Sequence, residues 1–216
     1  MSIIKTKSRG ILIVISGPSG AGKGTICERL KEQNKNIWLS TSMTTREPRG
    51  NEKNGVEYFF VTEEEFKKKI EEDGFLVYAI VHNNKYYGTP KDKIADKLNE
   101  GKDVILEIDI QGALKVKENC EDGIFIFILP PSMEELKQRI INRGSETPES
   151  LMTRFKSAYK EINYISKYNY AVVNDEVDLA VEKIEAIITT EKCRVDRIKD
   201  KILDSKEGFI HEQLYD

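Results

Sequence analysis

The sequence predicts an α/β protein: a parallel sheet with helices on both faces, carrying an inserted segment of different texture. Three observations predict it. Short apolar runs rich in β-branched residues (ILIVIS at 11–16, DVILEID at 103–109, IFIFIL at 124–129, AVVN at 171–174) have the pattern of strands buried on both faces. Helical stretches lie between them, and a strand–helix alternation with right-handed crossovers builds three layers. A glycine-rich loop, SGPSGAGKGT, joins the first strand directly to the first helix.

The elements follow in order. After the loop, TICERLKEQ reads as a helix ending near Asn34. From 36 to about 90 the texture changes. NIWLSTSMTTREPRGNEKNGVEYFFVT mixes strand runs with turn residues, and TEEEFKKKIEED is a helix whose start is marked by Thr62 and Glu65 as a capping box. FLVYAIVHNNKYYGTP then reads as strand, turn, short strand. The parallel-sheet texture returns at 103. PPSMEELKQRIINRG carries a second capping-box pair, Ser132 and Glu135, and an apolar stripe of Met133, Leu136, Ile140 and Ile141. Thr147 before Pro148 signals another helix start, with proline at its first position. A long charged helix follows AVVN.

Of 216 residues, 39% are hydrophobic and 33% charged, with a net charge of −3. That balance fits one soluble domain of fair size and argues against a non-specific nucleic-acid binder, which shows a basic face. Cys27, Cys120 and Cys193 are far apart and form no CxxC, so three free thiols in a reducing compartment are expected. His82 and His211 add no metal-ligand cluster to them. No apolar run is long enough to span a bilayer. The start, MSIIKTKSRG, lacks the apolar core of a secretory signal, and the cytoplasm is the expected compartment.

Four constellations carry chemistry. In ISGPSGAGKGT, Gly17, Gly22 and Lys23 fit the phosphate-binding pattern GxxxxGK, but Gly24 stands where a Ser or Thr hydroxyl usually reaches Mg²⁺, and Thr25 comes one place late. Backbone N–H groups and the helix N-terminus would cradle phosphates, with Lys23 reaching the outer ones. Thr25 would serve the metal, or Mg²⁺ would rest on phosphates and water. STSMTTREPRG brings Arg46 and Arg49 together among hydroxyls, a fork suited to phosphate oxygens or else a solvated basic loop. Arg139 and Arg143 share a helix face and Arg154 follows on the next helix, which fits a lid bringing charge to a phosphoryl group in transfer, or surface salt bridging. Glu107 and Asp109 end a core strand, where open α/β sheets bind ligands; they read a base edge, hold hydrated Mg²⁺, or serve structure.

Together these stretches, with NGVEYFFV, YYGTP, LPPSMEELKQRIINRGSET and YNYAVVND, resemble the guanylate kinase family over roughly residues 10–200. The GKGT ending also occurs in adenylate kinases, so Gly24 is an ordinary variant among nucleoside monophosphate kinases. The resemblance implies a single domain over 1–216. It comprises a three-layer P-loop NTPase core with a parallel sheet (about 1–35, 90–136 and 157–216), an inserted mixed α/β GMP-binding lobe (about 36–89) and a helical lid (about 137–156). It implies transfer of the ATP γ-phosphoryl group to GMP or dGMP, with Mg²⁺. Carried over by position, Gly17, Pro18, Ser19, Gly20, Ala21, Gly22, Lys23, Gly24 and Thr25 would hold the ATP phosphates, and Asn174 would lie near adenine. Ser42, Arg46, Arg49, Tyr58, Tyr87 and Thr89 would hold GMP, with Asp109 on guanine and Glu107 beside it. Lys23, Arg46, Arg139, Arg143 and Arg154 would stabilise charge in transfer. The expected partners are ATP and GMP or dGMP, with no nucleic acid and no membrane; association into a homo-oligomer is left open. So is the role of the tail SKEGFIHEQLYD, whose Phe209, Ile210, Leu214 and Tyr215 pack on the core or a second subunit, or stay disordered.

One departure bears on specificity. Family members usually carry a glutamate before YYG, as in FLEYA; here FLVYA puts Val77 in its place, and the following turn is one residue longer. Guanine offers two donors to that carboxylate, and valine accepts neither. Glu71, Glu72 or Asp73 would substitute only if the extra residue shifted the strand, and Lys85 in the longer turn reads as a surface charge. Two alternatives therefore stand beside the leading reading: a monophosphate kinase with relaxed or altered base choice, and a non-catalytic guanylate-kinase-like module that binds partner peptides.

Overall fold

A computed structural model of the chain describes residues 9–81, 84–142 and 148–198. Five strands form one all-parallel sheet: β1 (Leu12–Ser16), β2 (Ile37–Leu39), β7 (Asp103–Glu107), β8 (Ile124–Leu129) and β9 (Tyr170–Val173), in the order β2-β7-β1-β8-β9. Side chains alternate across a strand, so β1 feeds both faces. Ile13 and Ile15 join the core against α1 (Lys23–Gln33) and α7 (Val177–Lys192), which contribute Ile26, Leu30, Val181 and Ile184. Val14 joins the opposite core against α3 (Lys91–Asn99) and α4 (Ile110–Asn119), through Ile94, Leu98, Ala113 and Val116. This is the expected three-layer α/β core. β2 belongs to it, although the sequence reading assigned 36–39 to the inserted lobe: its three residues pair in parallel with Asp103, Val104 and Ile105.

The insertion has its own sheet. Here β3 (Ser42–Thr44), β4 (Tyr58–Phe60), β5 (Phe75–Val81) and β6 (Lys85–Pro90) run in the order β4-β3-β6-β5. The helix α2 (Glu63–Glu71) covers it, and its capping box is present in full: Thr62 Oγ1 accepts from Glu65 N, and Thr62 N donates to the Glu65 carboxylate. Phe66 of α2 stacks on Phe75 at 4.3 Å between centroids. Gly88 lets this stack approach the sheet, because a Cβ there would lie 2.7 Å from the Phe75 ring.

Two further α-helices are α5 (Met133–Asn142) and α6 (Pro148–Ile162), the latter opening on proline as expected. Leu136, Ile140 and Ala158 form a small core between them, with Met133 packed against it. Ile141, read as part of the stripe, is exposed, since it sits one residue and about 100° around the helix from Ile140. Only half of the expected second capping box forms. Ser132 Oγ accepts from Glu135 N, but the Glu135 carboxylate takes Arg139 Nε instead of returning to the cap. Arg143, Thr147, His82 and the tail 205–216 lie outside the described residues. Among those described, no helix is long and apolar enough to cross a membrane.

Candidate active site

The glycine loop leaves the C-terminal end of β1 and enters α1. Gly17, Gly20 and Gly22 all have positive φ (146°, 89° and 89°), conformations that glycine reaches without strain. At Gly17 a Cβ would strike the Ile128 carbonyl at 2.3 Å, and at Gly22 it would strike Asn174 Nδ2 at 2.2 Å. The loop is pinned from outside. Asn174, buried just after β9, donates from Nδ2 to the Ala21 carbonyl over 2.8 Å. The Asn174 carbonyl in turn accepts from both Nη atoms of Arg139, each at 3.2 Å. Arg139 on α5 and the glycine loop are thereby joined through one residue.

Lys23 Nζ folds back to the carbonyls of Gly17 at 2.7 Å and Pro18 at 3.1 Å. Beside it opens a cavity of about 210 Å³, walled by Gly17, Ser19, Lys23 and Gly24 of the loop and by Glu107 and Asp109 at the end of β7. Asp109 also caps α4, accepting from Gly112 N at 2.7 Å. Glu161 of α6 completes the wall. The sequence reading missed it, because a single acid inside a charged helix carries no local signal. A Cβ on Gly24 would sit 3.6–3.7 Å from both Glu107 carboxylate oxygens, so that carboxylate faces the place where other phosphate loops carry a hydroxyl. Thr25 is exposed and outside the cavity wall.

A second cluster lies on the lobe sheet. Arg46 Nε donates to Tyr87 Oη at 3.1 Å, and its Nη1 and Nη2 form a fork on the Glu52 carboxylate at 2.7 and 3.0 Å. Its guanidinium stands over the Tyr58 ring, 5.1 Å from the centroid, and near Phe60 at 5.6 Å. The Glu52 hydrogen bonds foremost, with that to Tyr87, raise the Arg46 pKa against the opposing effect of burial, and the same Arg46 bonds, with that from the Arg49 N–H, bring Glu52 down to about 2. Burial raises the Tyr58 phenol, with smaller contributions from Tyr87, Glu52 and the core acid Glu107. Ser42 pairs in register with Tyr58. Thr89 is buried in β6, opposite Val77. The Arg49 side chain is exposed, and Arg154 is half-buried on α6.

Val77 packs with Leu76 against the core cluster of Val14 and Phe125, at a register irregularity in β5. None of the acids weighed as substitutes reaches it. Glu72 and Asp73 are exposed at the end of α2 and face Lys68 and Lys91, and Glu71 is exposed beside them. Lys85 is exposed, as expected of a surface charge.

A parallel sheet, a glycine loop running into a helix and a lysine at the end of that loop define a P-loop nucleotide-binding protein. A family model described as guanylate kinase matches residues 9–191. The chain is 69% identical over 216 residues to a guanylate kinase of Clostridium perfringens (strain SM101 / Type A), covering 100% of both. To a guanylate kinase of Clostridium tetani (strain Massachusetts / E88) it is 71% identical over 208 residues, 96% of this chain and 99% of that one. The crystal structure of guanylate kinase from Anaplasma phagocytophilum matches with a TM-score of 0.73 at 32% identity, covering 94% of this chain and 97% of that one. The chain belongs to the guanylate kinase family.

Proposed function

We propose that this protein is a guanylate kinase that transfers the γ-phosphoryl group of ATP to GMP or dGMP, giving ADP and GDP or dGDP. The observation that carries the reading is the pair of clusters: a phosphate loop with its lysine on the core, and an arginine–tyrosine anion site on the inserted lobe. The full-length likeness to curated guanylate kinases supports it.

Loop N–H groups and the positive end of α1 bind the ATP phosphates, and Lys23 swings from the Gly17 and Pro18 carbonyls onto their outer oxygens. Arg46, Tyr58 and Tyr87 receive the GMP phosphate, with Ser42, Arg49 and Thr89 around it. An oxygen of that phosphate then attacks the γ-phosphorus in line, while the bond from γ-phosphorus to the ADP oxygen breaks. No protein nucleophile is required, because the catalysis is positioning and charge stabilisation. Arg139, Arg143 and Arg154 stabilise the charge on the group in transfer; Asp109 reads guanine, and Asn174 borders the adenine site while anchoring the loop.

The oxygen donors near Gly24 suit Mg²⁺, a hard cation that keeps several waters and leans on substrate phosphates. Among the described residues there is no cluster of three acids, histidines or cysteines able to hold a metal alone. Glu107, facing Gly24, is the best-situated carboxylate for its water shell, ahead of Thr25. Bound there, the ion would neutralise phosphate charge.

Chromatographic detection of GDP formed from GMP and Mg·ATP tests the reading. Lys23→Ala should lower kcat at least about a hundredfold; GDP formation by the variant at the parent rate would remove the loop from the mechanism.

A further inference from the structure

Glu52 is a residue of the lobe cluster to which the sequence analysis gave no role. It lies in the turn after Arg49, closed by Glu52 N to Arg49 O at 3.0 Å, and its carboxylate accepts from three directions: Arg46 Nη1, Arg46 Nη2 and the main-chain N–H of Arg49 at 2.8 Å. Its side chain is 23% exposed and that of Arg46 only 10%. A guanidinium has five N–H donors. Among the described residues Arg46 uses one on Tyr87, two from Nη1 on the Glu47 carbonyl and Glu52, and one from Nη2 on Glu52. One Nη2 hydrogen is left. The ring faces of Tyr58 and Phe60 fix the plane of the group.

We propose that Glu52 is a positioning residue for the monophosphate substrate: it sets the guanidinium of Arg46 and the backbone at Arg49 in their phosphate-receiving geometry before the substrate arrives. The inference rests on the guanylate kinase reading above. A forked carboxylate fixes both the orientation and the plane of a guanidinium, which a single contact would not. Binding then spends less of its energy on ordering a long side chain. The opposite role, an internal anion that occupies the phosphate's place until GMP displaces it, makes the contrary prediction, because its removal would tighten GMP binding.

The test is the KM of GMP, the KM of ATP and kcat for Glu52→Gln and Glu52→Ala, with Tm recorded for each. The expected result is a GMP KM raised roughly tenfold to a hundredfold, as for a misplaced binding group, larger for alanine than for glutamine, with the ATP KM unchanged. In an Arg46→Lys background, Glu52→Gln should add less than about twofold to the GMP KM, because the two residues act as one unit. A GMP KM that falls or stays level, an ATP KM that rises in step, or an undiminished effect in the Arg46→Lys background overturns the proposal. Failure of the parent protein to phosphorylate GMP would instead overturn the functional reading, so the two failures are distinct.

Discussion

Asn174→Ala is expected to loosen the phosphate loop from the sheet while leaving the lobe intact. Asn174 is 2% exposed and donates from Nδ2 to the Ala21 carbonyl at 2.8 Å, while its own backbone is held by the Leu129 carbonyl and by Arg139. Alanine keeps the backbone bonds and deletes only the side-chain one. Losing a buried neutral hydrogen bond and leaving its acceptor without that donor costs about 1–3 kcal/mol. The other end of the amide offsets part of this. Oδ1 is buried with no partner among the described residues, so deleting it removes a desolvation cost, and about 1–2 kcal/mol remains. For a chain of this size that is a fall of roughly 2–8 °C in Tm. With the loop on the ATP phosphates, as proposed, the ATP KM should rise while the GMP KM holds. Thermal unfolding and initial rates with each substrate varied in turn read both effects. An unchanged Tm with an unchanged ATP KM would refute the claim that this contact anchors the loop.

Gly88→Ala forces a Cβ to within 2.7–2.9 Å of the Phe75 and Phe66 rings, which are stacked and buried. It should destabilise the protein by about 1–3 kcal/mol, read as a lower Tm. Glu52 has a folded-state pKa of about 2 against an ordinary value of 4.5, so its contribution is present above 4.5 and is lost as pH falls from there towards 2. Acid titration of stability should therefore be shallower for Glu52→Gln than for the parent across that window; equal slopes would contradict the pairing. Val77→Glu supplies two acceptors for the guanine donors, worth roughly 10- to 150-fold in GMP preference over AMP. An unchanged preference would mean that position 77 does not face the base.

The core was legible because its strands are apolar on both faces and its loop glycines answer to backbone geometry. Gly17 and Gly22 tolerate no Cβ, and the sequence records that directly. The short strand β2 was misassigned to the lobe because three residues, IWL, carry too little pattern to reveal which sheet they join. Arg46 is marked by its hydroxyl-rich loop and Tyr87 by the resemblance, but their partner Glu52 is not, since a carboxylate in a charged turn is unmarked until the turn folds it onto the guanidinium. The missing half of the Ser132 cap has a similar cause: Glu135 had two partners in reach, and the sequence cannot rank them.

The central claim is phosphorylation of GMP, and the most direct test is ADP release from Mg·ATP with GMP, dGMP, AMP, UMP and CMP offered separately. The account predicts strong turnover with GMP and dGMP and little with the others, guanine being read without a carboxylate at position 77. Equal turnover with AMP or a pyrimidine monophosphate, or no GMP-dependent release at all, would contradict it.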